Sequence, residues 1–160
     1  MRDIIIPSNQ QQNRNAIISD TSKWPVNILY YQFDKSVSTK RRNVINASLD
    51  ILQKQLGQCI QFVRRNHSNR VLVKSIDGEG CNSDPGYQRR IQTLNLMKGC
   101  IRRGYIQHEF LHALGIYHTQ SRWDRDDYVK IFDDNIKPNK THNFDKYEKY
   151  YVSHYNLPYD

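Results

Sequence analysis

From Trp24 onward the chain switches between two hydrophobic periods, whereas its first fourteen residues follow neither. Trp24-Pro25 leads into Val26-Asn27-Ile28-Leu29-Tyr30-Tyr31-Gln32-Phe33, whose branched and aromatic side chains predict a turn running into a β-strand. Ser38 or Thr39 is placed to cap a helix in which Ile45, Leu49, Leu52 and Leu56 recur at i, i+4, i+7 and i+11, and Gly57 stops it. Two short strands are expected over 59–63 and 70–76, followed by a turn-forming stretch over 77–86. Ile91 to Leu96 sets Ile91, Thr93 and Asn95 against Gln92, Leu94 and Leu96, the alternation of a half-buried or edge strand. Residues 101–114 return to helical spacing, and a second, weaker helix is expected over 128–136. The chain shows no internal repeats.

Composition narrows the picture. With 160 residues, 38% hydrophobic and 25% charged, the chain suits a single globular domain. Its mean hydropathy of -0.83 and the lack of any apolar run near the ~20 residues of a bilayer helix predict no membrane span. Residues 1–14 are polar and Gln/Asn-rich. Their one apolar run, Ile4-Ile5-Ile6, is far shorter than a signal-peptide core, so this segment reads as a tail or a pro-segment remnant and no signal peptide is expected in the chain. Twenty-four Lys and Arg against 16 Asp and Glu leave a net charge of +8, which raises the question of an anionic partner. The pairs Arg41-Arg42, Arg64-Arg65, Arg89-Arg90 and Arg102-Arg103 lie in differently patterned segments, however, and no nucleic-acid-binding motif accompanies them. A solvated basic surface is expected, with no nucleic-acid partner.

The informative chemistry lies in Gln107-His108-Glu109-Phe110-Leu111-His112-Ala113-Leu114-Gly115-Ile116-Tyr117-His118. His108 and His112 are four apart, so on a helix their imidazoles share one face and can bind one metal ion from one rigid element. Glu109 is rotated by about 100° from His108, where it can address a water while leaving the metal's coordination position open. Gly115 can take a positive φ, end the helix and return the chain so that His118 supplies a third ligand. Three neutral imidazoles with one open position suit a catalytic zinc, whereas closed structural sites use four protein ligands, usually with thiolates. The five fixed positions of HExxHxxGxxH arise by chance in roughly one chain of this composition in a hundred thousand. His67, His142 and His154 lie in polar, loop-like surroundings and are expected to be solvated.

Beyond the histidines, Gln120-Ser121-Arg122-Trp123-Asp124-Arg125-Asp126-Asp127-Tyr128-Val129 is similar to a run Arg-x-Asp-Arg-Asp-x-Tyr-Val of the astacin family of zinc metalloendopeptidases, within the metzincins. The resemblance includes Arg14-Asn15-Ala16-Ile17, Trp24-Pro25, Cys59-Ile60-Gln61-Phe62, Gly80-Cys81-Asn82-Ser83, Gln92-Thr93-Leu94-Asn95-Leu96 and Gly99-Cys100, and so extends over residues 14–160. It implies an α+β metzincin-type N-terminal subdomain with a small mixed sheet, a long backing helix and an active-site helix. Residues 1–14 would be a pro-segment remnant and 15–160 a peptidase domain cut short at its C-terminal end. His108, His112 and His118 would hold one Zn2+, and Glu109 would be the general base that moves a proton from the attacking water to the leaving amine. Gln92, Thr93, Leu94, Asn95 and Leu96 would form the cleft edge on which a peptide substrate lies. Cys81 would pair with Cys100, and the partner of Cys59 would fall outside this segment, in keeping with an odd total of three cysteines. A secreted, monomeric protein is implied.

The chain also departs from the family's pattern. The methionine turn that follows a Pro-Tyr-Asp similar to Pro158-Tyr159-Asp160 is missing, because Met1 and Met97 both precede His118. Most of the C-terminal subdomain, including a wall of the S1′ pocket, is expected to be missing with it. Thr119 stands where the family usually has a glutamate that receives the mature amino terminus, which weakens any activation step built on a charge pair. Of the family's pro-segment motif Phe-x-Gly-Asp, only Asp3 remains, twelve positions before Asn15, as a latency ligand or an unstructured acidic residue. Sequons at Asn46, Asn66 and Asn139 would permit glycosylation on a secretory route, with Asn46 inside the expected helix. Against the peptidase reading stands a zinc-binding remnant that holds a peptide or partner without turnover.

Overall fold

The computed structural model describes residues 22–57 and 59–148. The expectations for residues 1–14, Asp3, the Arg14–Asn15 junction, His154 and Pro158-Tyr159-Asp160 lie outside the described residues.

The chain enters through a turn, Pro25–Asn27, in which Val26 and Asn27 take positive φ values of 48° and 58°, so the first strand, β1, begins at Ile28 rather than at Val26 and runs Ile28–Phe33. Helix α1, Thr39–Gln55, follows, capped by Ser38, whose side chain accepts from the Arg41 amide. Burial falls on Ile45, Ser48, Leu49 and Leu52, and Gly57 at φ 59° ends the turn after the helix. Strands β2 (Gln61–Arg64), β3 (Val71–Lys74), β4 (Cys81–Ser83) and β5 (Gln92–Leu96) complete one sheet in the order β2-β1-β3-β5-β4. All neighbours are parallel except β4, which runs antiparallel to β5 with Cys81 opposite Leu96 and Ser83 opposite Leu94. Helix α2, Arg103–Leu114, packs on α1, β4 and β5. This two-layer α+β arrangement is the one expected: a small mixed sheet, a long backing helix and a shorter helix carrying the histidines.

The core lies between sheet and helices. Leu29, Tyr31, Val71, Val73, Leu94 and Leu96 of the strands meet Ile45, Leu49 and Leu52 of α1 and Ile106, Phe110 and Ala113 of α2. Phe110 is fully buried, its ring edge-on to Tyr31 and Phe62 at 5.9 and 5.8 Å; burial of such a side chain contributes about 2–3 kcal/mol. The hydroxyl of Tyr31 donates to Asn46 Oδ1 at 2.9 Å, and burial pushes its ionisation up.

Two expectations fail for identifiable reasons. Gln92–Leu96 is not an edge: β3 lies on one side and β4 on the other, so the edge at this end of the sheet belongs to β4, Cys81–Ser83, inside the stretch expected to be only turn. The polar residues of β5 are turned to internal use. Gln92 Nε2 donates to the Asp84 and Gly86 carbonyls, and Asn95 Nδ2 to those of Ile76 and Gly80, so each side chain clamps a loop. Residues 128–136 form no α-helix; one short 3-10 turn, Arg125–Asp127, precedes the segment and another, Asp133–Asn135, lies within it. Tyr128 and Phe132, which a helix would place on one face, are each 58% exposed, so no buried stripe rewards a helical repeat.

Cys81 and Cys100, 19 residues apart, are joined by a disulfide, while Cys59 is free and exposed. Closing a loop of that length removes unfolded-state freedom worth about 3 kcal/mol. The double replacement Cys81→Ser, Cys100→Ser is therefore expected to lower stability by about 3 kcal/mol in denaturant unfolding. Thiol labelling of the unreduced, unfolded chain should modify Cys59 alone; modification of Cys81 would contradict the pairing.

Candidate metal centre and active site

Helix α2 carries His108, Glu109 and His112, and its core face of Ile106, Phe110 and Ala113 fixes how it sits. Trp24 reinforces the seating by donating its indole N–H to the Ala113 carbonyl at 2.8 Å. Gln107 ties the helix to α1 through the Ser48 carbonyl, and the Gly86 amide donates to the His112 carbonyl. The loop leading from β4 is thereby anchored to the turn of helix that bears a histidine. Gly115 ends α2 at φ 99°, a left-handed conformation that a side chain would strain, and its amide closes onto His112. The chain then reverses and brings His118 to the same point.

There the three imidazoles converge. Nε2 of His108 lies 3.0 Å from Nε2 of His112 and 3.3 Å from Nε2 of His118. Four-coordinate zinc at about 2.0–2.1 Å from each nitrogen implies N···N separations of about 3.3–3.4 Å, so the donor set fits that ion. His112 Nδ1 lies 2.6 Å from the Ile116 carbonyl, a contact that fixes the tautomer with its proton on Nδ1 and aims the Nε2 lone pair at the centre. His112 is buried, His108 and His118 half-buried, and among the described residues these three are the group able to hold a metal ion. Glu109 is 1% exposed, next to His108 in the chain but outside the cluster.

A groove of about 670 Å³ opens on the Glu109 side, bounded by the Cys81–Cys100 disulfide, Met97, Arg102 and Tyr105. His108 and Glu109 also line it, so the groove reaches both the histidine cluster and the start of β4. Tyr105, one turn before His108, is 53% exposed.

His118 depends on the segment that follows it. Arg122 and Asp124 form a buried two-pronged ion pair, with N–O distances of 2.9 and 2.7 Å. Arg125 donates to the Gln120 and Phe144 carbonyls, and the Tyr147 amide donates to the Ser121 carbonyl at 2.8 Å. Hydrogen bonds from Lys146 and Arg125 hold the Asp126 carboxyl below the usual carboxylate range. The charged run after the histidines thus stitches residues 119–128 to 143–147. Sequence reading recognised this run by resemblance but not its work, because a two-pronged pair at i, i+2 has no periodic signature. It also missed the Ile116 carbonyl, since backbone acceptors leave no trace in residue types. His67 is not solvated as expected: its ring stacks on Tyr30 at 4.3 Å, and its Nδ1 contacts Asn69. His142 is half-buried.

Comparison with known proteins agrees with this architecture. Residues 16–160 match the model of the Astacin peptidase family. The chain is 38% identical over 155 residues to meprin A subunit beta of Homo sapiens, covering 95% of this chain and 21% of that protein. It is 36% identical over 166 residues to the low choriolytic enzyme of Oryzias latipes, covering 99% of this chain and 58% of that protein. The chain therefore spans between about a fifth and three-fifths of the length of these curated relatives. Among solved structures, high choriolytic enzyme 1 of Oryzias latipes, described as a hatching enzyme zinc-protease, superposes with a TM-score of 0.79 at 33% identity, covering 92% of this chain and 74% of that one. Myroilysin, at 18% identity and a TM-score of 0.57, shares the fold. With the zinc-motif histidines converging on a metzincin-type sheet and helices, and with the family model matching almost the whole chain, this protein belongs to the astacin family of peptidases.

Proposed function

We propose that the chain forms the metal-bearing part of a zinc-dependent endopeptidase, in which His108, His112 and His118 hold one Zn2+ and Glu109 is the general base. The observation that carries this reading is the convergence of three imidazoles, with His108 Nε2 at 3.0 and 3.3 Å from those of His112 and His118, beside a buried carboxylate. Zinc, when bound, acidifies water and polarises a carbonyl. Glu109 takes the proton from the attacking water and delivers it to the departing amine, as a carboxylate held one helical position from a ligand can. A peptide lies along the free edge of β4, where Cys81, Asn82 and Ser83 offer backbone groups to an added strand. The groove beneath, with Met97 and Tyr105 on its walls, receives an apolar side chain of that peptide.

Residues 15–160 belong to the peptidase domain and 1–14 to a pro-segment, with Asp3 as its latency ligand. Thr119 is exposed and carries no charge, so activation proceeds without an ion pair at this position. A disulfide supports an oxidising, secretory setting. There Asn66 and Asn139, both exposed, are the glycan acceptors, while Asn46 is engaged by Tyr31. The domain is monomeric, and Cys59 bonds to a cysteine outside this segment.

The test is metal analysis together with hydrolysis of an unfolded protein substrate by the protein that carries this domain. One zinc per chain is expected, with cleavage abolished by a chelator and restored by added zinc. Zinc binding with no cleavage in the mature protein would favour the remnant that binds without turnover.

A further inference from the structure

Along the chain the arginines are dispersed in pairs, but the fold gathers members of two pairs. Arg42, Arg64 and Arg65 line one cavity of about 250 Å³, together with Gln32, Phe33 and Asn66. The topology explains the gathering. Strands β1 and β2 are parallel, with Tyr31 opposite Arg64, so their carboxyl-terminal ends emerge side by side. Helix α1 starts close after β1, and its first turn contains no acidic residue, so its amino-terminal dipole adds positive potential.

The site is built rather than merely basic. Arg42 is held by its own hydrogen bonds, Nε to the Val37 carbonyl at 2.8 Å and Nη2 to the Asp34 carbonyl at 3.5 Å. Its guanidinium stands 5.6 Å from the centre of the Phe33 ring, and that of Arg64 stands 6.0 Å from the same ring. One aromatic side chain therefore braces two cations. No carboxylate lines the cavity, and the neighbouring Asp34 spends its own on the Ser36 amide at 2.8 Å. Three guanidiniums sharing a small cavity repel one another, and an anion among them relieves that repulsion. Planar guanidiniums also present paired N–H donors that match a tetrahedral oxyanion. The expectation of an undifferentiated basic surface is corrected at this corner.

We propose that this cavity binds a tetrahedral oxyanion, sulfate or phosphate, either free or as the ester end of a small ligand, through Arg42, Arg64 and Arg65. The assignment is independent of the peptidase reading, because none of these residues lines the metal centre or its groove.

Isothermal titration of the 160-residue chain, lacking a glycan at Asn66, tests it at constant ionic strength. The probes are inorganic sulfate, inorganic phosphate, glucose 6-sulfate and glucose 6-phosphate. Saturable binding is expected, weakened about tenfold or more by Arg64→Gln with Arg65→Gln, since each charge-assisted hydrogen bond lost is a strong one. Both side chains are exposed, so the thermal midpoint should be unchanged. Arg89→Gln with Lys130→Gln removes the same charge elsewhere on the exposed surface and should leave the affinity intact. Tighter binding of the sugar esters would identify an ester ligand, and equal or tighter binding of the free ions a free anion. No saturable heat from any probe, or an equal loss in the Arg89/Lys130 variant, would overturn the proposal.

Discussion

Glu109→Gln is expected to lower peptide hydrolysis by about 10²-fold or more while zinc content stays at the wild-type level. The substitution changes one oxygen to an amide nitrogen and almost nothing in volume, so α2 should retain its packing. The three histidines, whose ring nitrogens cluster as a group able to hold a metal ion, are untouched. What is lost is the ability to accept a proton, and the departing amine loses its donor with it. Stability should not fall, because Glu109 is 1% exposed and a neutral amide is cheaper to bury than a carboxylate. The loss should therefore lie in kcat, with bound zinc and thermal midpoint unchanged. Turnover near the wild-type rate would remove Glu109 from the chemistry; loss of zinc along with activity would make it a support of the metal centre instead.

How much of this was legible in the sequence follows from where each element draws its stability. Helix α1 was readable because Ile45, Leu49 and Leu52 repeat toward one buried face, and Ser38 and Gly57 mark its ends. The clustering of His108, His112 and His118 was readable because i, i+4 spacing and a helix-ending glycine are geometric instructions carried by residue type. Strand β4 was hidden: three residues, Cys81–Ser83, follow Gly80 at φ 78°, and so short a run has no period. Its pairing partner misled in turn, since Gln92 and Asn95 fall on opposite faces of a strand whose alternation reads as half-buried or edge. Both are almost fully buried, and their amides hold the loops on either side. Long-range polar satisfaction of this kind decides burial without altering the local pattern. The arginine cavity was hidden for the same reason, because only the β1–α1–β2 crossover brings residues 42 and 64 together.

His112→Ala is expected to abolish tight zinc binding and, with it, the stability that zinc confers. Of the three histidines, His112 is the buried one, 2% exposed, and its Nδ1 is fixed by the Ile116 carbonyl at 2.6 Å, so no rearrangement of exposed side chains can replace it. Loss of a partner that only orients a ligand typically costs about 10–100-fold in metal affinity, and removing the ligand itself should cost more. A metal bound only by the folded state stabilises it by about 4 kcal/mol when present at a thousand times its dissociation constant. Zinc added to the wild-type protein should therefore raise its unfolding midpoint, whereas the variant should show almost no shift. The substitution also leaves the Ile116 carbonyl without its imidazole and opens space beside the core, which should lower the metal-free midpoint modestly. Comparison of the zinc-induced shifts, rather than of the midpoints themselves, separates the two effects. A zinc-induced shift in His112→Ala equal to that of the wild type would show that the metal is held elsewhere.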